Sequence, residues 1–198
     1  MDYQHQVHLF HEDINPYAYK ILGAHIMRKG LYRGVRFSLW CPYVRRVSVV
    51  GDFNGWDGSG SSMERVGDSW VWSLFIPKAR ELDLYKYEIE TYDGKVFLKA
   101  DPYAFYSELR PDTASIVYDL DRYRWRDEGW LYRKSRRPSY DMPMNIYEVH
   151  IGSWRQRDDG QFYNYRELAE ELIPYVADMG YTHVQLLPIC EHPYDGSW

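Results

Sequence analysis

Apolar and polar side chains alternate with a period of two along several short stretches of the chain. Val35, Phe37 and Leu39 alternate with Arg36 and Ser38, the pattern of a strand with one buried face. Pro42 closes it. Residues 47–50 predict a second strand, followed by the turn-rich stretch Gly51-Asp52-Phe53-Asn54-Gly55-Trp56. Trp70, Trp72, Leu74 and Ile76 share one face of a third strand, with Val71, Ser73 and Phe75 on the other. Tyr85, Tyr87 and Ile89 alternate with Lys86, Glu88 and Glu90 in a fourth. Asp93-Gly94 is a hairpin signal, with residues 96–98 as the return strand, and residues 115–118 form a last short strand. Short strands spaced by turn residues predict an all-β immunoglobulin-like sandwich. Residues 1–30, interrupted by Asn15-Pro16 and Gly30, read as loop and short turns.

The period changes toward the end of the chain. Residues 145–151 read as a strand. Asn164 is a helix N-cap with Glu167 as its capping-box partner. Leu168, Leu172, Val176 and Met179 follow at near-helical spacing, Pro174 is expected to kink the helix, and Gly180 suits the C′ position. The apolar run 182–189 then reads as a buried strand of a parallel sheet. Strand, helix and strand make one βαβ unit, which cannot by itself complete a fold, so the sequence is expected to be part of a longer chain. Residues 121–140 read as a charged, exposed connector. The expected organisation is an N-terminal segment 1–18, a sandwich 19–119, a linker 120–143 and the βαβ portion 144–198.

Composition narrows the function classes. The 198 residues carry 24 Lys+Arg against 29 Asp+Glu, a formal charge of −5, which argues against nucleic acid as partner. Mean hydropathy is −0.60, and no apolar run approaches the roughly 20 residues that span a membrane. The opening residues have neither the basic nor the apolar part of a signal peptide, so a cytoplasmic location is expected. Cys41 and Cys190 read as buried thiols of a reducing compartment. The histidines and cysteines show no zinc spacing and no Gly-rich phosphate loop follows a strand, so no metal and no cofactor are expected. His150 and His183 read as structural residues of their strands. Aromatics reach 18%, with 20 Tyr and 8 Trp. Part of that serves the core, as Trp70 and Trp72 beside Leu74 and Ile76 suggest. Flat rings at the surface also suit the apolar faces of sugars.

Five motifs in order identify a resemblance. Val49-Val50-Gly51-Asp52-Phe53-Asn54-Gly55-Trp56-Asp57 resembles the signature of the isoamylase-type glucan-binding module. Residues 98–105 and 109–115 match the version of that module found in glycogen-branching enzymes. Ile146-Tyr147-Glu148-Val149-His150-Ile151-Gly152-Ser153-Trp154 is similar to their first barrel strand, and residues 165–180 to their first barrel helix. Glu191-His192-Pro193-Tyr194-Asp195-Gly196-Ser197-Trp198 resembles the segment after their second barrel strand. The implied fold is the sandwich followed by the first βαβ portion of a (β/α)8 barrel, which needs about 250 residues to close.

The resemblance implies transfer of α-1,4-glucan chains to α-1,6 branch points by a retaining mechanism, with an Asp nucleophile and a Glu acid/base. In this superfamily the reacting carboxylates follow barrel strands four, five and seven, so no catalytic residue is expected among these 198. Glu148, Glu191 and Asp195 are read as hydrogen-bonding partners that shape loops. The resemblance implies glucan contact at Trp56 and Lys86. His192, Asp195 and Trp198 are expected as contacts in the substrate cleft. The implied partners are an α-glucan and the rest of the barrel. A second stacking Trp, which related modules carry after the Asp-Gly hairpin, is replaced here by Lys95-Val96-Phe97. The alternative from another class is a glucan-binding module without catalysis.

Overall fold

The computed structural model describes residues 2–12, 14–136, 141–187 and 189–190. They divide into two compact units, Met1–Arg124 and Trp125–Trp198. The first unit holds nine strands: β1 (Gly23–Lys29), β2 (Tyr32–Trp40), β3 (Arg46–Gly51), β4 (Glu64–Arg65), β5 (Val71–Ile76), β6 (Leu84–Glu90), β7 (Val96–Lys99), β8 (Tyr106–Ser107) and β9 (Ser115–Ile116). One antiparallel sheet runs β1-β2-β5-β4. The other runs β3-β6-β9-β8, with β7 also on β6.

The alternation along the strands decides what fills the space between the sheets. Val35, Phe37 and Leu39 of β2 meet Val47 and Val49 of β3 and Tyr85 and Tyr87 of β6 in one buried cluster, with Trp72 and Val117. Phe37 packs against Tyr85 at 5.0 Å and Phe53 at 5.2 Å between ring centroids. Residues 61–63 run beside β3, where Met63 N donates to Val47 O at 2.8 Å, before the chain joins the other sheet as β4. Strands that change sheets in this way close the corners of sandwiches.

A buried carboxylate ties the core together. Asp101 is 5% exposed and its Oδ2 accepts the Tyr85 hydroxyl at 2.7 Å and the Tyr87 hydroxyl at 3.1 Å. Its Oδ1 accepts Tyr103 N at 2.8 Å, and its own amide donates to Ser115 Oγ at 2.9 Å. Burial pushes the Asp101 carboxyl up, while the bonds from Tyr85, Tyr103 and Tyr87 pull it down. Burial also raises both phenols, with the Asp101 charge adding to it. Every group in the cluster is a donor matched to an acceptor, which is what a buried polar network requires.

Residues 1–30 differ from the loop expected of them. They hold α1 (Tyr3–His11) and β1. Propensity does not explain α1, whose Tyr, His, Val and Phe residues are weak helix formers and which has no side-chain cap at Asp2; packing does. Val7 is buried against Ile21, Leu22 and Val71. The Tyr3 hydroxyl meets Ser38 Oγ at 2.8 Å, and the Arg36 guanidinium lies 4.0 Å from the Tyr3 ring centroid. The first sheet is therefore covered on both faces, by the second sheet and by α1. Gly30 is a hairpin residue at φ +60°, turning β1 into β2 in the register Lys29↔Tyr32.

The second unit contains α2 (Glu128–Ser135), β10 (Ile146–Val149), α3 (Ile151–Trp154), α4 (Tyr165–Asp178) and β11 (His183–Leu186). Residues 128–136 are exposed as expected of the connector, but 128–135 are helical. The first strand is shorter than the expected 145–151, because the chain turns at His150 into α3. The Asn164 cap forms as read: Asn164 Oδ1 accepts Arg166 N and Glu167 N, each at 3.0 Å, and Glu167 Oε2 accepts Asn164 N at 3.0 Å. α4 runs continuously across Pro174, and Gly180 adopts φ +76°. β10 and β11 pair in parallel, Ile146↔His183 to Val149↔Leu186, so strand, helix and strand form a βαβ unit. Val149, Leu168, Leu172 and Val176 make its core.

Two further expectations fail. β11 is exposed at all four positions, because among the described residues only β10 flanks it. Neither cysteine is buried: Cys41 is intermediate, beside the core, and Cys190 is exposed.

Candidate functional site

The turn after β3 is built residue by residue from its sequence. A Cβ on Gly51 would come within 2.2 Å of Leu84 O, so only glycine lets this strand end approach β6. Asn54 Oδ1 accepts Gly51 N at 2.9 Å, and Asn54 Nδ2 donates to Val49 O and Ser61 Oγ, each at 2.9 Å. Phe53 anchors the turn in the core against Phe37. Gly55 and Trp56 both take φ +64°. That is ordinary for glycine and strained by roughly 1–2 kcal/mol for a tryptophan.

The indole lies at the surface. Trp56 is 40% exposed. Its Nε1 donates to Asp52 Oδ1 at 3.2 Å, while Asp52 Oδ2 accepts Leu84 N at 2.8 Å. Asp52 thus links the indole to the start of β6, two residues before Lys86. The register Val50↔Lys86 and Gly51↔Tyr85 sets the turn beside that strand. Lys86 alternates with the buried Tyr85 and Tyr87, so it lies on the outer face, where its ammonium donates to Thr113 Oγ1 at 2.8 Å. An apolar plane, a carboxylate, an ammonium and a hydroxyl are the parts that contact a sugar ring and its hydroxyls. Asp57 adds a second carboxylate, held below its ordinary range by the Ser59 amide and hydroxyl.

Asp52 and Thr113 are the residues that sequence reasoning did not single out. Asp52 could have been found, since it lies inside the Gly51–Trp56 motif. Thr113 could not, because only the fold brings it to Lys86. Trp72 is 7% exposed and donates to Cys41 O at 2.9 Å, a core role as expected. Trp70 lies apart from the core cluster, between Tyr43 at 5.3 Å and the Arg65 guanidinium at 4.3 Å from its ring centroid. His192, Asp195 and Trp198, with Glu191, lie outside the described residues. Glu148 is exposed on β10, paired in register with Gln185. His183 lies on exposed β11, while His150 follows β10 and bonds Ser153 Oγ at 2.8 Å. Among the described residues no cluster of three or more His, Cys, Asp or Glu could hold a metal, and no helix is long and apolar enough to cross a membrane.

The class of the first unit follows from comparison. Residues 21–104 match the family carbohydrate-binding module 48 (isoamylase N-terminal domain), and both sheets of the sandwich run through them. The chain also resembles glycogen-branching enzymes along nearly its whole length. It is 55% identical over 193 residues to the 1,4-alpha-glucan branching enzyme GlgB of Bacillus caldolyticus, covering 98% of this chain and 29% of that protein. It is 52% identical over 193 residues to the GlgB of Geobacillus stearothermophilus, covering 98% of this chain and 30% of that one. The chain thus spans about 29% of the length of the curated relatives it matches. Solved structures share the fold: a maltotriose complex of PulA-G680L from Klebsiella pneumoniae (TM-score 0.59, 22% identity, 86% of this chain and 20% of that one) and the pullulanase of Paenibacillus barengoltzii (TM-score 0.56, 21% identity, 86% and 27%).

Proposed function

We propose that the chain is the N-terminal portion of a 1,4-alpha-glucan branching enzyme and that its sandwich holds an α-glucan against Trp56 and Lys86. The observation that carries the glucan site is the turn itself. A strained backbone presents an indole to solvent, and Asp52 fixes it next to the strand bearing Lys86. The identity with enzymes named for branching 1,4-alpha-glucan supports the ligand class.

The remaining assignments are part of the same proposal. Residues 19–119 are the binding module and 120–143 its linker. β10, α4 and β11 are the first strand, helix and second strand of the catalytic barrel, within 144–198. The partner that covers them is the rest of that barrel, which supplies the reacting carboxylates of a retaining transfer. His192, Asp195 and Trp198 line its cleft. The enzyme works in the cytoplasm without metal or cofactor.

Electrophoresis through glycogen-containing gels tests the glucan site. Wild type is retarded, and Trp56→Ala weakens retardation about tenfold, or roughly 1.4 kcal/mol. Equal mobility of both proteins with and without glycogen contradicts the proposal. The alternative, a glucan-binding module with no catalytic partner, predicts the same retardation. It is separated by iodine staining of amylose in the source cells' extract, where loss of the branching activity on disrupting this gene supports the enzyme reading.

A further inference from the structure

We infer that the open side of the sandwich carries a second α-glucan contact, distinct from the one at Trp56 and Lys86. It rests on the glucan reading above. Here β1, the edge of the first sheet, comes together with the segment after β9, on the edge side of the second. A cleft of about 430 Å³ lies between them, lined by Tyr19, Lys20, Phe105, Tyr118, Asp119 and Asp121. Its size is that of ligand clefts, roughly 300–1,000 Å³. None of Trp56, Lys86 or Thr113 lines it.

The three aromatics have no part in the core. Tyr19, Phe105 and Tyr118 belong to neither buried cluster of this unit, and Tyr19 is 44% exposed. Yet two of the rings are braced. Phe105 meets His25 edge-on at 5.4 Å, and Tyr118 meets Tyr106 edge-on at 5.5 Å. His25 Nε2 lies 2.9 Å from Leu22 O, and burial lowers the pKa of the ring. The lining holds two carboxylates, Asp119 and Asp121, and one ammonium, Lys20, a balance that disfavours anions. Carboxylate oxygens accept from sugar hydroxyls, an ammonium donates to them, and braced rings cover the C–H faces. Asp119 is already oriented, since its Oδ1 accepts Asp121 N at 3.0 Å. Among the described residues no strand pairs with the other edge of β1.

Amide NMR of the full chain titrated with maltoheptaose tests this. Two groups of shifts are expected, one at residues 51–57 and 84–87, the other at 19–26 and 118–121. Tyr19→Ala is expected to weaken the second group's affinity at least about fivefold and leave the first unchanged. Trp56→Ala does the reverse. Asp121→Asn, at an exposed carboxylate, repeats the test without removing a ring. Shifts confined to the first group overturn this inference and leave the glucan reading intact. Shifts confined to the second support it and remove Trp56 and Lys86 from the binding surface. No shifts at all overturn both.

Discussion

The two units solve the same problem, covering a sheet, with different completeness. In the sandwich, β2 and β3 are buried on the inner face by each other's sheet, and α1 covers the outer face of the first sheet, Tyr3 against Ser38 of β2 and Val7 against Val71 of β5. In the second unit α4 covers one face of a two-stranded parallel pair, and β11 is exposed at every position. Antiparallel strands joined by short turns can close a core within about a hundred residues. Parallel strands need neighbours on both sides and helices on both faces. The proposed binding surface therefore sits on the unit that is structurally complete.

The largest expected effect falls in the sandwich core. Phe37 is fully buried, and Phe37→Ala should cost about 3–5 kcal/mol in thermal or denaturant unfolding of the first unit. A loss below about 1 kcal/mol would mean the sheets do not pack as described. Asp101→Ala should cost about 3 kcal/mol by leaving the Tyr85 and Tyr87 hydroxyls without their acceptor. Asp101→Asn should cost less than half of that. The Asp101 carboxyl is raised, so the folded state holds its proton more tightly than the unfolded one. The stability this contributes is complete below the ordinary aspartate value of about 3.9 and is lost as pH rises through the folded value. Wild type should lose stability relative to Asp101→Asn over that rise, and parallel pH profiles would contradict the assignment. Asn164→Ala should cost about 1 kcal/mol, and only in the second unit, read from circular dichroism of α4 during melting. The smallest change sharpens the site: Trp56→Gly relieves the left-handed strain and should raise stability by up to about 1 kcal/mol while weakening glycogen retardation as Trp56→Ala does. Loss of stability instead would place Trp56 in a structural role.

Legibility followed the source of each element's stability. β2, β3, β5 and β6 were readable because their side chains alternate between a core and another surface. The Asn164 cap and Gly180 were readable because their roles are local. α1 was not, since Tyr3, Val7 and Phe10 become a face only against Ile21, Leu22 and Val71. β1 was hidden by Ala24 and His25, weak strand formers held by pairing with Phe37 and Arg36. α2 lay inside a charged run with no buried position to mark it. At the site, Trp56 and Lys86 stood out through a motif. Asp52 carried its signal unread, and Thr113, 27 residues from Lys86 in sequence, carried none.

Hydrogen–deuterium exchange of the full chain, with and without maltoheptaose, tests the central claim that the complete unit is the glucan-binding one. Slow exchange is expected at residues 47–50 and 85–87 and fast exchange at 183–186, with added glucan slowing exchange at 51–57 and 84–87 and leaving 146–149 and 183–186 unchanged. Protection by glucan confined to 146–149 and 183–186 would contradict it.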